Sequence, residues 1–286
     1  MSFLATLRAD SQHLPQHLAF FDEPACVGAA QTLQQEYKTA QPFPHVMIDD
    51  FLPTALAEQL LEEFPPQEGA SAFWMSAAEY KKRGYRPDEL GAVPCRYLFY
   101  TFNSGPFLRF LEALTGIPAL LPDPYFSGGG FHEISAGGKL NVHADFSLQK
   151  EINLRRRVNV LIYLNKDWSS DYGGNLELWS VDMKRCVRSI EPLFNRAVIF
   201  NTDHDSFHGH PDPLNCPEGV TRRSIALYYY TASPTIRKEE RSHTTAYQRR
   251  PGSHDARLWK TKLRDTFDDV VPPVLARWAR RMAQKR

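Results

Sequence analysis

Between Tyr125 and Ala232 the sequence consists of short runs of β-branched, aromatic or alternating apolar residues, and Gly, Asn, Asp or Pro separates each run from the next. The runs are GGFHEI, KLNVHADF, RRVNVLIYL, NLELWS, CVRSI, RAVIFN and RRSIALYYYT. Short strands with a turn signal about every ten residues are typical of an all-β sandwich or barrel, and not of a parallel α/β sheet. This pattern constrains the fold more than any other feature of the chain.

The N-terminal third of the sequence has helical periodicity instead. PTALAEQLLEEF (Pro53 to Phe64) carries leucines at helical spacing before a Pro-Pro stop, and PFLRFLEALT (Pro106 to Thr115) is amphipathic and ends at Gly116. PFPHVMIDDFL predicts a short strand and a turn, and Tyr80 to Pro87 predicts a loop. We expect these helices to pack on the outside of the β core.

The tail from Ala256 onward returns to a helical pattern. Its apolar stripe is Val271, Leu275, Trp278 and Met282, and five of the last ten residues are basic. Such a helix could bind a membrane surface or a partner, but a helix docked on the core with a solvated basic face is favoured. We therefore predict one domain over residues 1–286, with a β core at 125–232, supporting helices and strands at 1–124 and a C-terminal extension at 233–286.

Composition excludes several classes of function. A net charge of +1 gives no electrostatic footprint for nucleic acid. The cysteines are Cys26, Cys95, Cys186 and Cys216, which form no CxxC pair, so we expect reduced thiols in a cytoplasmic protein. The first twenty residues lack an apolar signal region, and no run is long enough to span a membrane. The sequence leaves open whether the chain forms a homo-oligomer.

The KLNVHADF run carries a candidate pair of metal ligands. Its strand period of two places His143 and Asp145 on one face, with Ala144 on the other. Imidazole nitrogen and carboxylate oxygen together suit a borderline divalent metal. An HxD pair is common by chance, however, so a third ligand from a distant strand is required.

The segment NTDHDSFHGH offers three histidines for this role. His204 falls in a turn after the RAVIF run and is best interpreted as a solvated loop residue. His208 and His210 share one face of the next strand, so alternation favours them over His204. Alternation does not decide between His208 and His210.

The run TRRSIALYYYT adds an inward-facing cation. Arg222, Ser224, Ala226 and Tyr228 alternate onto one face. An arginine inside a small barrel is costly unless it meets an anion, and its planar fork matches a carboxylate. Ser224 can add a hydroxyl to the same group. Taken alone, an arginine on a solvated edge strand would explain the pattern as well.

These motifs together resemble a known family. An HxD strand, a distal His about 60 residues later and an inward Arg-x-Ser resemble the Fe(II)- and 2-oxoglutarate-dependent dioxygenases. The runs RRVNVLIYLNKDW, GGNLELW, SIEPLFNRAVIFN and TRRSIALYYYT look most like the prolyl 4-hydroxylase branch. The resemblance covers residues 125–232 well and 42–65 loosely. It implies a double-stranded β-helix, a jelly-roll or cupin-like barrel within an α+β fold, flanked by N-terminal and C-terminal helices.

The resemblance also implies roles for individual residues. His143, Asp145 and His208 would bind Fe(II), and Arg222, Tyr163 and Ser224 would hold 2-oxoglutarate. Leu161 and Leu176 could line the cosubstrate pocket, although packing against the core explains leucines equally well. The candidates on the substrate side are Tyr228, Asn159, Glu133 and His210.

The implied activity is hydroxylation of an unactivated C–H bond with O2, releasing succinate and CO2. One departure concerns Glu133, which stands where some prolyl hydroxylases carry a second cosubstrate-binding tyrosine. An inward glutamate would repel a carboxylate, so we expect Glu133 to face the substrate or the pocket to differ there. Two alternatives use the same fold: a zinc hydrolase and a non-catalytic cupin-like binding module. The substrate is left open between a peptidyl proline, a free amino acid such as proline, another protein side chain, and a small metabolite or sugar-containing natural product.

Overall fold

The computed structural model describes residues 21–87, 93–149, 152–232, 245–253 and 255. The described residues up to Pro251 belong to one compact unit. Its helices are α1 (Glu23–Thr39), α2 (Thr54–Glu62), α3 (Val93–Phe102) and α4 (Gly105–Thr115). The helix predicted from Ala256 onward lies outside the described residues.

Thirteen strands form the sheet system. They are β1 (His45–Ile48), β2 (Ala72–Met75), β3 (Glu79–Tyr85), β4 (Leu121–Pro122), β5 (Gly130–Ala144), β6 (Leu148–Gln149), β7 (Leu154–Tyr163), β8 (Leu176–Trp179), β9 (Cys186–Ile190), β10 (Ala197–Asn201), β11 (His208–His210), β12 (Thr221–Ala232) and β13 (Ala246–Tyr247).

The order of the main strands is β1-β10-β7-β12-β5-β11-β8-β9, and the pairs are antiparallel. Strand β5 lies between β12 and β11 in this order and belongs to both halves of the sheet. Its first half pairs with β12 and its second half with β11, so the sheet curls around it. The curled antiparallel sheet is the double-stranded β-helix expected from the sequence.

The corner of β5 lies at Gly137 and Gly138. Gly137 has φ +76°, in the left-handed region that favours glycine. A Cβ at Gly138 would lie 2.5 Å from Ile134 Cγ2 and 2.7 Å from the Ser135 carbonyl oxygen. Glycine at both positions therefore allows a single strand to serve two sheets.

The helices cover one face of the sheet. On β7, Val158, Val160 and Ile162 face the helices and belong to the large core cluster with residues of α1 to α4. The alternate residue Tyr163 belongs to a second cluster, on the inner face, with Leu161 packed against it. The expected packing of N-terminal helices outside the β core is therefore confirmed, and the inner face is left for a site.

Three local expectations differ from the structure. Tyr80 to Pro87, predicted as a loop, belongs mostly to β3, which pairs with β5. GGFHEI and KLNVHADF form one strand rather than two. Helices α1 and α3 were not predicted; the N-cap of α1 is Asp22, whose side chain accepts a hydrogen bond from Ala25 N, 3.3 Å away.

Candidate active site

Two histidines and an aspartate converge at the end of β5. His143 on β5 is the register partner of His208 on β11, and their ring centroids are 4.5 Å apart. Asp145 follows the end of β5. Its Oδ1 lies 3.6 Å from His143 Nε2, and its Oδ2 lies 3.4 Å from His208 Nε2. All three ligand atoms lie within 4.8 Å of one another, so the cluster could hold a metal ion.

Hydrogen bonds to the backbone fix both imidazoles. His143 Nδ1 lies 2.9 Å from the Asn141 carbonyl oxygen, and His208 Nδ1 lies 2.9 Å from that of Ser206. A carbonyl oxygen only accepts, so each Nδ1 carries the proton and each Nε2 keeps its lone pair. Burial, with the neighbouring His143, lowers the pKa of His208 to about 4. Each ring thus presents Nε2 to the cluster, and His208 is prepared as a neutral ligand.

The Asp145 carboxylate is held from its other side. Asn159 Nδ2 donates to Oδ2 over 2.8 Å, and Arg156 Nη2 lies 2.9 Å from the same oxygen. Burial acts to raise the pKa of Asp145, but the positive charge of Arg156 beside it holds the pKa well below its usual range. The carboxylate is therefore ionised, as a metal ligand must be.

This donor set fits a divalent transition metal. Two neutral imidazole nitrogens and one carboxylate on a single face are the set found in non-haem iron oxygenases, and they leave coordination positions open. The lone pairs of both Nε2 atoms point toward the carboxylate, so the cluster needs no rearrangement of its tautomers to accept an ion.

A buried arginine marks another part of the same cavity. Arg222 Nε donates to the Gly174 carbonyl oxygen over 2.7 Å, and Nη2 lies 3.4 Å from Tyr163 Oη. Burial lowers the pKa of the Arg222 guanidinium below its usual range. Within the described part of the chain, no carboxylate forms an ion pair with Arg222. A bound anion that is not part of the chain would therefore stabilise the buried guanidinium by pairing with its charge.

Glycine allows the Arg222 side chain to approach the backbone at this point. Gly174 has φ +72°, and a Cβ there would lie 2.5 Å from Leu214 Cδ2 and 3.0 Å from Arg222 Cδ. Any larger residue would displace the arginine. The close approach of the Arg222 side chain therefore explains why glycine occupies position 174, in the GG that follows YLNKDW.

The cavity between these groups has a volume of about 220 Å³. The strand register brings three residues of its wall side by side, because Ser224 on β12 pairs with Tyr163 on β7 and with His132 on β5. Nearly all of the sequence-predicted site residues line it: His143, Asp145, His208, Arg222, Tyr163, Ser224, Leu161, Leu176, Tyr228, Asn159 and His210.

Glu133 is the exception, because its side chain does not line the cavity, so the pocket differs there from one that carries a cosubstrate-binding tyrosine. Its carboxylate is buried and accepts hydrogen bonds from Tyr85 Oη, Thr221 Oγ1 and Arg223. The neighbouring His132 lines the cavity instead. The alternation of β5 is interrupted at its glycine corner, so counting back from His143 gives the wrong face for residue 133.

The three histidines of NTDHDSFHGH occupy different environments. The side chain of His204 is 76% exposed and contacts Asp203. His208 and His210 are both buried and both line the cavity. Neither ring nitrogen of His210 has a hydrogen-bond partner among the described residues.

Sequence reasoning missed several residues of the cavity wall. Arg156 lies on β7 and is buried, but it was not among the predicted site residues. Trp74 and Lys82 come from β2 and β3, and Tyr247 from β13. Lys82 pairs with Glu79 over 3.1 Å, and its ammonium group lies over the Trp74 ring. No motif in the sequence points to these positions.

Fold and site together define a double-stranded β-helix with a cluster that could hold a metal ion. Residues 129–230 match the model of the 2OG-Fe(II) oxygenase superfamily. A stretch of 84 residues is 34% identical to prolyl 3-hydroxylase OGFOD1 of Mus musculus; it spans 28% of this chain and only 15% of that protein. The resemblance to prolyl-hydroxylase-like oxygenases is thereby confirmed for the core.

Solved structures support the fold. A prolyl-4-hydroxylase from Pseudomonas putida aligns with a TM-score of 0.50 and 18% identity, over 71% of this chain and 98% of that one. A prolyl hydroxylase from Trichoplax adhaerens, solved with a hypoxia inducible factor oxygen degradation domain peptide fragment, gives 0.51 and 18%, over 72% and 91%. None of the helices in the described ranges has the length and apolar character needed to cross a membrane.

Proposed function

We propose that the protein is a non-haem Fe(II)- and 2-oxoglutarate-dependent dioxygenase that hydroxylates an unactivated C–H bond. One observation carries the proposal. The buried Arg222, with no carboxylate partner in the described chain, lines the same cavity as the cluster of His143, Asp145 and His208. A dicarboxylate that reaches both would satisfy the arginine and bind the metal.

The residues then divide by role. His143, Asp145 and His208 would hold Fe(II) through both Nε2 atoms and the carboxylate. Bound iron, with 2-oxoglutarate and O2 as cosubstrates, supplies the redox chemistry. Arg222 would hold the distal carboxylate of 2-oxoglutarate, since its guanidinium fork matches a carboxylate geometrically. The residues that support this contact are Tyr163, Ser224, Leu161 and Leu176.

The Tyr163 hydroxyl has a defined part in this arrangement. It lies 3.4 Å from Arg222 Nη2, and burial raises its pKa above the usual range, so it stays protonated and can donate. A phenol and a guanidinium that donate to the same carboxylate orient it more strictly than either would alone. Leu161 and Leu176 would exclude water from the methylene groups between the two carboxylates.

For the substrate we propose a prolyl residue in a peptide. The mouse relative and both solved structures are prolyl hydroxylases by name, and one of them was solved with a peptide bound. The cavity wall also carries the aromatic rings of Trp74, Phe146, Tyr228 and Tyr247, which suit an apolar ring. Tyr228, Asn159 and His210 are the candidate residues on the substrate side.

The cellular compartment is part of the same proposal. Cys26, Cys186 and Cys216 are free thiols in the structure. Free thiols are typical of a reducing compartment, and Fe(II) is also favoured by reducing conditions. We therefore place the activity in the cytoplasm.

The two alternative functions are less well supported. A zinc hydrolase could use the same three ligands, but it has no use for the buried Arg222 or for Tyr163 beside it. A non-catalytic cupin-like module would likewise leave Arg222 without a purpose. Both alternatives predict that the metal-loaded protein does not bind 2-oxoglutarate.

The decisive experiment is anaerobic titration of the Fe(II)-loaded protein with 2-oxoglutarate, followed by visible absorption. Chelation by the keto acid should produce a metal-to-ligand charge-transfer band in wild type, and His143→Ala should lose it. His204→Ala is the matched control, since that side chain is exposed, and it should keep the band. Iron binding without a band would refute the oxygenase.

The substrate requires a separate test, because the band does not depend on it. Succinate release should be measured with proline-containing peptides, with the same peptides carrying alanine for proline, and with free proline. We expect release only with the prolyl peptides. If the band forms but none of them is turned over, the prolyl substrate is wrong and the oxygenase stands.

A further inference from the structure

The side chain of Arg156, on β7, contacts the candidate metal ligand Asp145, which follows the end of β5. On β12, Tyr229 pairs with Val158 and Tyr230 pairs with Arg156, so Arg157 is an extra residue in β7. A bulge of this kind changes which face the following side chains occupy. It brings Arg156 and Asn159, three positions apart, to the same side of the strand, where both line the cavity.

Arg156, Asn159 and Asp145 form a closed set of contacts. Arg156 Nε donates to Asn159 Oδ1 over 2.9 Å, and Asn159 Nδ2 donates to Asp145 Oδ2 over 2.8 Å. Arg156 Nη2 lies 2.9 Å from the same Oδ2. Only one orientation of the amide satisfies both neighbours, because a guanidinium only donates and a carboxylate only accepts.

Aromatic rings fix the guanidinium of Arg156. It lies 3.5 Å from the ring centroid of Tyr228 and 4.6 Å from that of Phe146. Tyr228 is itself held, since its hydroxyl donates to the Gly128 carbonyl oxygen over 2.8 Å. A planar cation stacked in this way has little freedom, and lysine cannot reproduce either the stacking or the fork.

The two oxygens of Asp145 are therefore unequal. Oδ2 is engaged by Arg156 and Asn159 and also lies 3.4 Å from His208 Nε2, whereas Oδ1 lies 3.6 Å from His143 Nε2. A carboxylate whose second oxygen is occupied by donors is a weaker electron donor than a free one, and it binds through the other oxygen. Both effects act on the metal that the proposed function requires.

We infer that Arg156 and Asn159 are positioning residues that keep Asp145 a one-oxygen, weakly donating metal ligand. This inference rests on the proposed function. Its consequence is a metal centre with one more position free for the cosubstrate and with more positive charge to attract it. Asp145 bound through both oxygens would occupy a position that a chelating keto acid needs.

The test compares Arg156→Gln and Arg156→Lys with wild type, all saturated with Fe(II) under anaerobic conditions. Because every variant is saturated with iron, a change in metal affinity does not affect the comparison. Arg156→Gln should move the charge-transfer band with 2-oxoglutarate to longer wavelength, because a stronger carboxylate donor raises the metal electrons in energy. It should also weaken 2-oxoglutarate binding by about tenfold. Arg156→Lys should not restore the wild-type band.

Arg155→Gln is the matched control on the same strand, because Arg155 contacts Asp203 at the surface and not Asp145. It should leave band and affinity unchanged. Should Arg156→Gln fail to fold, as judged by circular dichroism, Asn159→Ser removes the other donor and should shift the band in the same direction by less.

The outcomes separate this inference from the proposed function. A wild-type protein that shows no band overturns the proposed function and this inference with it. If wild type shows the band and Arg156→Gln leaves both its position and the affinity for 2-oxoglutarate unchanged, only the role of Arg156 is refuted. A lysine variant that behaves as wild type would show that charge alone suffices and that the held geometry does not matter.

Discussion

His143 on β5 faces His208 on β11 as a direct register partner, and the two rings lie 4.5 Å apart. The pair spans two neighbouring strands of one sheet, so backbone hydrogen bonds set the distance between the imidazoles. The two histidines are therefore held by the sheet rather than by loops. Such a site is held more rigidly than one on mobile segments.

Replacing His208 by alanine should abolish Fe(II) binding, whereas His204→Ala should leave it unchanged. His208 is buried with its Nε2 at the cluster, while His204 is exposed beside Asp203. Both variants should be titrated with Fe(II) and with Mn(II), whose free ion is counted by electron paramagnetic resonance. Equal binding by wild type and His208→Ala would remove His208 from the ligand set.

Arg222→Ala should leave the fold intact and weaken 2-oxoglutarate binding by roughly 30-fold or more, the expected effect of removing one partner of a buried charge pair. Arg223→Ala is the matched control, because that neighbouring arginine pairs with Glu133 outside the cavity. Binding should be measured by titration calorimetry on the metal-loaded protein. An unchanged affinity in Arg222→Ala would contradict its assignment.

His210→Leu should stabilise the ligand-free protein by about 1 kcal/mol, since a buried polar group without a partner costs free energy in the folded state. Both ring nitrogens of His210 lack partners among the described residues. Urea unfolding monitored by circular dichroism measures the change. A loss of stability would mean that the imidazole makes interactions in solution that the structure does not contain.

Gly138→Ala should destabilise the protein by about 1–3 kcal/mol, because the new Cβ would overlap Ile134 and the Ser135 carbonyl at the corner of β5. The control is Gly28→Ala in the middle of α1, where a Cβ has no atom within 4 Å. That change should stabilise by about 0.5–1 kcal/mol through helix propensity. Thermal and urea unfolding of both variants test the pair.

The regular parts of the β core could be predicted from sequence because alternation reports burial directly. On β12, Arg222, Ser224 and Tyr228 share the cavity side as the period of two requires. Helix α4 and its end at Gly116 also follow from local signals: Gly116 has φ +72° and its N–H donates to the Glu112 carbonyl.

Alternation failed where strands are irregular. Alternation counted from His143 does not give the face of Glu133, because the glycine corner of β5 separates the two residues. Arg156 was missed because the bulge at Arg157 reverses the face expected from Asn159. Neither irregularity has a local sequence signal strong enough to be identified in advance, since each depends on the register of a partner strand.

Helix α3 shows that the local preference of residues for strand or helix does not always decide the secondary structure. Its sequence VPCRYLFYTF is rich in aromatic residues, which favour strands. Leu98, Phe99 and Phe102 are nevertheless buried in the large core cluster. Tertiary packing therefore overrides the local preference, and no window of the sequence contains that information.

Strand β5 carries His132 in its first half, beside Ser224, and His143 in its second half, at the metal cluster. One continuous strand thus sets the distance between the place where a cosubstrate would be anchored and the place where it would react. Loops elsewhere can lengthen or shorten without altering this spacing. An insertion or deletion within β5 would change this distance. The length of the cosubstrate that the site can accept therefore depends on the length of a single strand.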